Sequence, residues 1–85
     1  MSDNPIVVGA SWCGFTQKQY KILESLDSSK ITVCNVDKPQ NVSDTFHVPL
    51  CTEAQAKNVT AYPSWKQNNH IQPGLKTADQ ILNGA

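Results

Sequence analysis

Two short β-branched runs, Ile6-Val7-Val8-Gly9 and Ile31-Thr32-Val33-Cys34-Asn35-Val36-Asp37, flank one segment with helical spacing, and that order leaves few folds open. Between them, residues 15–26 put Phe15, Tyr20, Ile22, Leu23 and Leu26 on one stripe and Gln17, Lys18, Lys21 and Glu24 elsewhere. This spacing predicts an amphipathic helix, ended by Ser28-Ser29. The second run, residues 31–37, is β-branched on both faces and reads as a buried strand. A strand, a helix and a buried strand make a right-handed βαβ unit with parallel strands. Sites in open α/β sheets lie beyond the carboxyl ends of the strands, and Trp12-Cys13-Gly14-Phe15-Thr16 falls there.

Residues 37–50, bracketed by Pro39 and Pro49, read as an irregular segment long enough to be functional or to hold a local helix. Thr52-Glu53-Ala54-Gln55 matches a capping box and opens a short helix that Asn58 can close. Pro63 then leads into an extended segment, residues 64–68, and Asn68-Asn69 signals a hairpin turn before His70-Ile71-Gln72. Pro73-Gly74 ends that arm, and Thr77-Ala78-Asp79-Gln80 is a second capping box, starting a terminal helix through Ile81 and Leu82. The expectation is a single α/β domain over residues 1–85, in the order β-α-β-α-β-β-α. Its four-stranded sheet is mixed, with helices on both faces.

Seven lysines balance seven acids, arginine is absent, and the lysines are scattered from Lys18 to Lys76. A basic patch for nucleic acid is not expected, nor an arginine fork for phosphate. The apolar run at residues 6–10 is too short for a signal core or a membrane span. The expected setting is therefore the cytoplasm, as a monomer without membrane partners and with its thiols reduced.

Cys13 falls at or just before the first turn of the helix, where unpaired amides and the helix dipole favour a thiolate. Its pKa is expected below the free-thiol value of about 8.5, which makes Cys13 a better nucleophile at neutral pH. The other reading of Cys13 is a small buried apolar residue. Thr16 can donate a hydrogen bond to the sulfur but cannot form a disulfide with it, so the site can attack yet needs an outside thiol for release. Trp12 and Phe15 stand beside the thiolate as substrate contacts, whereas Trp65 reads as core.

Cys34 and Cys51 have two readings. A bridge between them would close a loop of about 18 residues and add roughly 3 kcal/mol in the chain-entropy model. Two buried free thiols would suit a reducing compartment. His47, His70 and the cysteines have no zinc-type spacing, so no metal site is expected.

Ser11-Trp12-Cys13-Gly14-Phe15-Thr16, the order of elements, and Tyr62-Pro63 before a hairpin together resemble the thioredoxin and glutaredoxin superfamily over nearly the whole chain. Trp12-Cys13-Gly14 is similar to the thioredoxin motif, and Cys13-Gly14-Phe15-Thr16 is one change from the Cys-Gly-Phe-Ser of monothiol glutaredoxins. From Cys51 to Tyr62-Pro63-Ser64-Trp65, the chain resembles the thioredoxin-like domain fused to vitamin K epoxide reductase homologues.

The resemblance implies a thioredoxin fold in which a cis-proline, Pro63, faces the active cysteine, Cys13. It implies a thiol–disulfide oxidoreductase acting through Cys13 with help from Thr16, with Trp12, Gly14, Phe15, Tyr62 and Pro63 contacting substrate. A disulfide-containing protein or glutathione would be the partner, and no tightly bound cofactor is expected. From a different class, the same fold could serve as a module without turnover that captures a partner or, with glutathione, shares an iron–sulfur cluster. Val7 stands where thioredoxins carry a buried acid, so the implied chemistry includes no proton relay to a resolving thiol.

Overall fold

The computed structural model describes residues 4–26 and 30–83. Its elements are β1 (Ile6–Gly9), α1 (Gly14–Glu24), β2 (Thr32–Asn35), β3 (Gln40–Ser43), β4 (Phe46–Val48), α2 (Glu53–Ala56), β5 (Ser64–Gln67), β6 (His70–Pro73) and α3 (Ala78–Leu82). A four-stranded mixed sheet runs β2-β1-β5-β6, with β1 parallel to β2 and antiparallel to β5.

The two-residue period of β1 divides the core. Val7, opposite Val33 and Trp65, packs with Tyr20 and Leu23 of α1 and with Val48, and Ile81 of α3 lies against this cluster. Val8, opposite Cys34 and Ser64, packs on the other face with Cys34 and Val59, beside Cys51 and Tyr62. α1 and α3 thus cover the Val7 face, and α2 lies by the Ile6 end of the other, where Lys66, opposite Ile6, donates to the Ala54 carbonyl.

Glycine at position 9 lets α1 approach β1 closely. A Cβ there would strike the Thr16 methyl and come within 2.5 Å of the Tyr20 hydroxyl. That close approach brings the start of α1 onto the end of β1, where Cys13 sits.

Residues 37–50 depart from expectation: they form a hairpin of β3 and β4 rather than an irregular loop or helix. Val42 and Phe46 pack against the Val7-side cluster and Val48 is buried in it, so three alternating side chains give the segment an inner face. Beyond β4 the chain runs beside β2. The Asn35 N–H donates to the Pro49 carbonyl at 2.9 Å, and the Cys51 N–H donates to the Asn35 carbonyl at 2.7 Å. This parallel contact carries Cys51 to Cys34, with Cα atoms 4.8 Å apart, and the two are joined by a disulfide. Of the two readings of this pair, the bridge is the one observed, and the reduced state expected in the cytoplasm does not hold for it.

Other differences are smaller. The helix stops at Glu24, and the expected stop at Ser28-Ser29 lies outside the described residues. Phe15 is 63% exposed, so the inner stripe of α1 is Thr16, Gln19, Tyr20 and Leu23 instead. β2 is buried only at Cys34 and Asn35.

Both capping boxes form, at Thr52–Gln55 and Thr77–Gln80. Asn68 and Asn69 have φ of 52° and 68°, the pair of left-handed residues a tight hairpin turn requires. Among the described residues no helix is long and apolar enough to cross a membrane.

Candidate functional site

The chain leaves β1 at Gly9 and turns through Ala10, Ser11 and Trp12, and the Cys13 N–H closes that turn on the Ala10 carbonyl at 3.1 Å. Cys13 has extended backbone angles and is the N-cap of α1, its carbonyl accepting from the Gln17 N–H at 3.2 Å. Its thiol donates to the Tyr62 carbonyl at 3.3 Å, and the Tyr62–Pro63 bond is cis. The fold therefore brings Cys13 against Tyr62-Pro63, with Tyr62 half-buried and Pro63 buried.

Cys13 is the free cysteine and is half-buried. Burial pushes its pKa up, but the Thr16 N–H, the Thr16 hydroxyl and the Phe15 N–H favour the ionised sulfur and together outweigh that, so the net shift is below the ordinary thiol value. The neutral thiol uses its proton on Tyr62. Once ionised it can only accept, and the amides at the start of α1 are the donors in reach.

Thr16 has no exposed surface, and its Oγ1 accepts from the Ala10 N–H at 3.3 Å. It ties the active turn to the helix as well as serving the sulfur.

Several residues of the site carried no sequence signal. The Asp37 carboxylate, just past β2, accepts from the Ser11 N–H at 2.9 Å and from the Ser11 hydroxyl. These two bonds hold the Asp37 pKa below the usual carboxylate value.

The Ser11 carbonyl accepts from Gln17 Nε2 at 3.2 Å, so all three polar groups of Ser11 are engaged. Gln17 and Gln40 exchange hydrogen bonds, and Gln40 Oε1 accepts from Asn35 Nδ2 at 3.2 Å. The Tyr20 hydroxyl completes the network, donating to Asn35 Oδ1 at 2.5 Å. Burial, with the Asp37 charge adding to it, raises the Tyr20 pKa and keeps that hydroxyl protonated.

Around the sulfur the surface is aromatic. Trp12 is 70% exposed and its ring meets Tyr62 edge-on at 5.9 Å, while Phe15 faces solvent under Lys18, whose Nζ is 5.7 Å from the ring centre. Gly14, between them, has nothing within 4 Å of where a Cβ would lie, so no distant side chain crowds the first residue of α1. Trp65 is buried, its Nε1 donating to Gln19 at 3.0 Å, and belongs to the core.

A separate hollow lined by Ile6, Lys66, Asn68 and Asn69 lies at the opposite end of β1 from Cys13, and no cysteine lines it. There Lys66 Nζ donates to the carbonyls of Ala54 and Lys57 and caps α2. Among the described residues no three His, Cys, Asp or Glu side chains gather closely enough to hold a metal ion.

No known protein family, curated protein or solved structure matches the chain.

Proposed function

We propose that the domain is a thiol–disulfide oxidoreductase of thioredoxin-like fold that works through one nucleophile, Cys13. The observation that carries this reading is the placement of a half-buried cysteine at the N-cap of α1, opposite a cis-proline segment, with its pKa lowered. The sheet order and the helices on both faces are consistent with such a fold.

In the reaction, the Cys13 thiolate attacks one sulfur of a substrate disulfide. A bond forms between Cys13 and that sulfur, the original S–S bond breaks, and the other sulfur leaves as a thiolate that takes a proton from water. Thr16 cannot resolve the resulting mixed disulfide, so a second, external thiol attacks the Cys13 sulfur or its partner. Glutathione or a cysteine of another protein fills that role. The Cys34–Cys51 bond fits an oxidising compartment better than the cytoplasm.

The test is trapping with oxidised glutathione followed by peptide mass mapping. One glutathione should add at Cys13, and none should add to Cys13→Ser. Modification confined to Cys34 or Cys51, or none in the folded chain, would refute the assignment.

A further inference from the structure

We propose that the outer face of α1 leading away from Cys13 is the docking surface for a polypeptide disulfide flanked by apolar and acidic residues. The proposal rests on the nucleophile reading above and adds the substrate's chemistry to it.

A groove starts at Gly14 and follows α1 past Gln17, Lys18, Lys21 and Ile22, with Leu75 of the β6–α3 connection also lining it. Its lining is almost wholly apolar, so it favours apolar side chains. Lys18 and Lys21, three apart on the helix and both exposed, stand on the same side. The first turn of α1 has no acid; the helix's single acid, Glu24, stands three beyond Lys21 at the end of the groove farther from Cys13, so the net positive charge lies on the side nearer the nucleophile. The chain as a whole is neutral, so this positive charge is a local property of the groove.

At the Cys13 end the groove adjoins a second hollow at Gly14 and Lys18 that is lined by the exposed ring of Phe15. A segment of extended chain bonded through its cysteine to Cys13 would lay apolar side chains on Phe15, Ile22 and Leu75. Its carboxylates would meet the two ammonium groups. Lysine serves here as a mobile point charge that speeds encounter and selects charge, without the fixed geometry of an arginine fork. Glutathione offers carboxylates but no apolar side chain, which is why the groove and the aromatic rim point to a polypeptide.

Two peptides of one length would test this, each with a cysteine held as a mixed disulfide with a small thiol. One has Leu and Asp residues after the cysteine, and the other has Leu and Lys. Rates of reaction with the full chain are divided by rates with free dithiothreitol, which removes the effect of each peptide's own charge on its disulfide. At low salt the acidic peptide should react about tenfold faster than the basic one, in the range electrostatic steering provides. That preference should shrink toward unity in about 1 M salt, where the screening length is about 3 Å. It should shrink likewise in the double variant Lys18→Gln, Lys21→Gln.

Equal normalised rates for the two peptides, or a preference that survives the double substitution, would overturn the proposal. Faster reaction with oxidised glutathione than with the acidic peptide would overturn its commitment to a polypeptide. Alkylation by neutral iodoacetamide separates the two levels. Failure of folded Cys13 to alkylate would strike the nucleophile reading, whereas normal alkylation without charge preference would strike only the docking surface.

Discussion

Cys13 is held by opposing effects: burial raises its pKa, and the donors at the start of α1, which favour the thiolate, prevail over it. Its alkylation rate should therefore reach half its maximum at a lower pH in the folded chain than in denaturant, where about 8.5 applies. The sign carries over to stability. A thiol whose pKa is depressed by folding stabilises the fold fully above the unfolded value, and that contribution is lost as pH falls through the folded value. The stability difference between the native sequence and Cys13→Ser should thus increase with pH across that interval, as read by denaturant melts at several pH values. Thr16→Val removes one donor to the sulfur and the acceptor of the Ala10 N–H. The alkylation midpoint should move up, and stability should fall by about 1–3 kcal/mol for the stranded buried amide. Thr16→Cys should place a second sulfur one helical turn from Cys13, and mild oxidation should join them with the loss of two hydrogens by mass. If no internal disulfide forms, residue 16 does not face the nucleophile. Cys13 and Thr16 were legible in the sequence because their positions follow from local rules of helix start, whereas Pro63 opposite Cys13 was implied only by the resemblance. Asp37 and Gln17 were not legible, since what they do depends on the ends of β1 and β2 lying side by side.

Elements with a strong local code were readable, and those defined by distant burial were not. The capping boxes at Thr52 and Thr77 and the Asn68-Asn69 turn appear where their residue types require them. The β3–β4 hairpin was obscured because its inner face holds only Val42, Phe46 and Val48, among polar residues that suit a loop equally well. Gln19 shows the same limit inside α1: a polar residue on the helix reads as outward, yet it has no exposed surface. Its Oε1 accepts from Trp65 Nε1 at 3.0 Å and from the Lys76 N–H at 2.7 Å, and its Nε2 donates to the Lys76 carbonyl at 3.0 Å. One side chain therefore fastens α1 to β5 and to the segment before α3. Gln19→Leu retains bulk but removes all three bonds, and should destabilise the chain by on the order of 3 kcal/mol. Hydrogen exchange should rise first around residues 75–82, with the β1–β2 pairing still protected. Uniform exchange throughout would show that Gln19 does not fasten α3 in particular.

For the whole molecule, the small size of the core sets the terms. Nine hydrophobic residues make up its buried set among the described residues, and a chain of 85 residues buries a smaller fraction of its surface than a larger domain does. A cross-link then matters more. Cys34 and Cys51 are 17 residues apart in sequence and join β2 to the segment that enters α2, on the face of the sheet holding Val8 and Val59. Closing a loop of about that length lowers the entropy of the unfolded chain by the equivalent of roughly 3 kcal/mol. For a domain of this size that corresponds to a melting shift on the order of 10–20 °C. The comparison is best made on Cys13→Ser, oxidised against reduced, so that the nucleophile takes no part. A parallel variant, Cys34→Ala with Cys51→Ala, avoids stranding a thiol or hydroxyl in a buried position. Both should melt well below the oxidised form. In the double-alanine variant, which retains Cys13, the alkylation profile should stay close to that of the native sequence, because the groups that set it belong to the start of α1 and to Tyr62. A melting point unchanged by reduction would mean that the bridge adds nothing to the fold. A large shift in the Cys13 profile would instead mean that the disulfide supports the site as well as the sheet, through Asn35 and the Gln40–Gln17 contacts that reach Ser11.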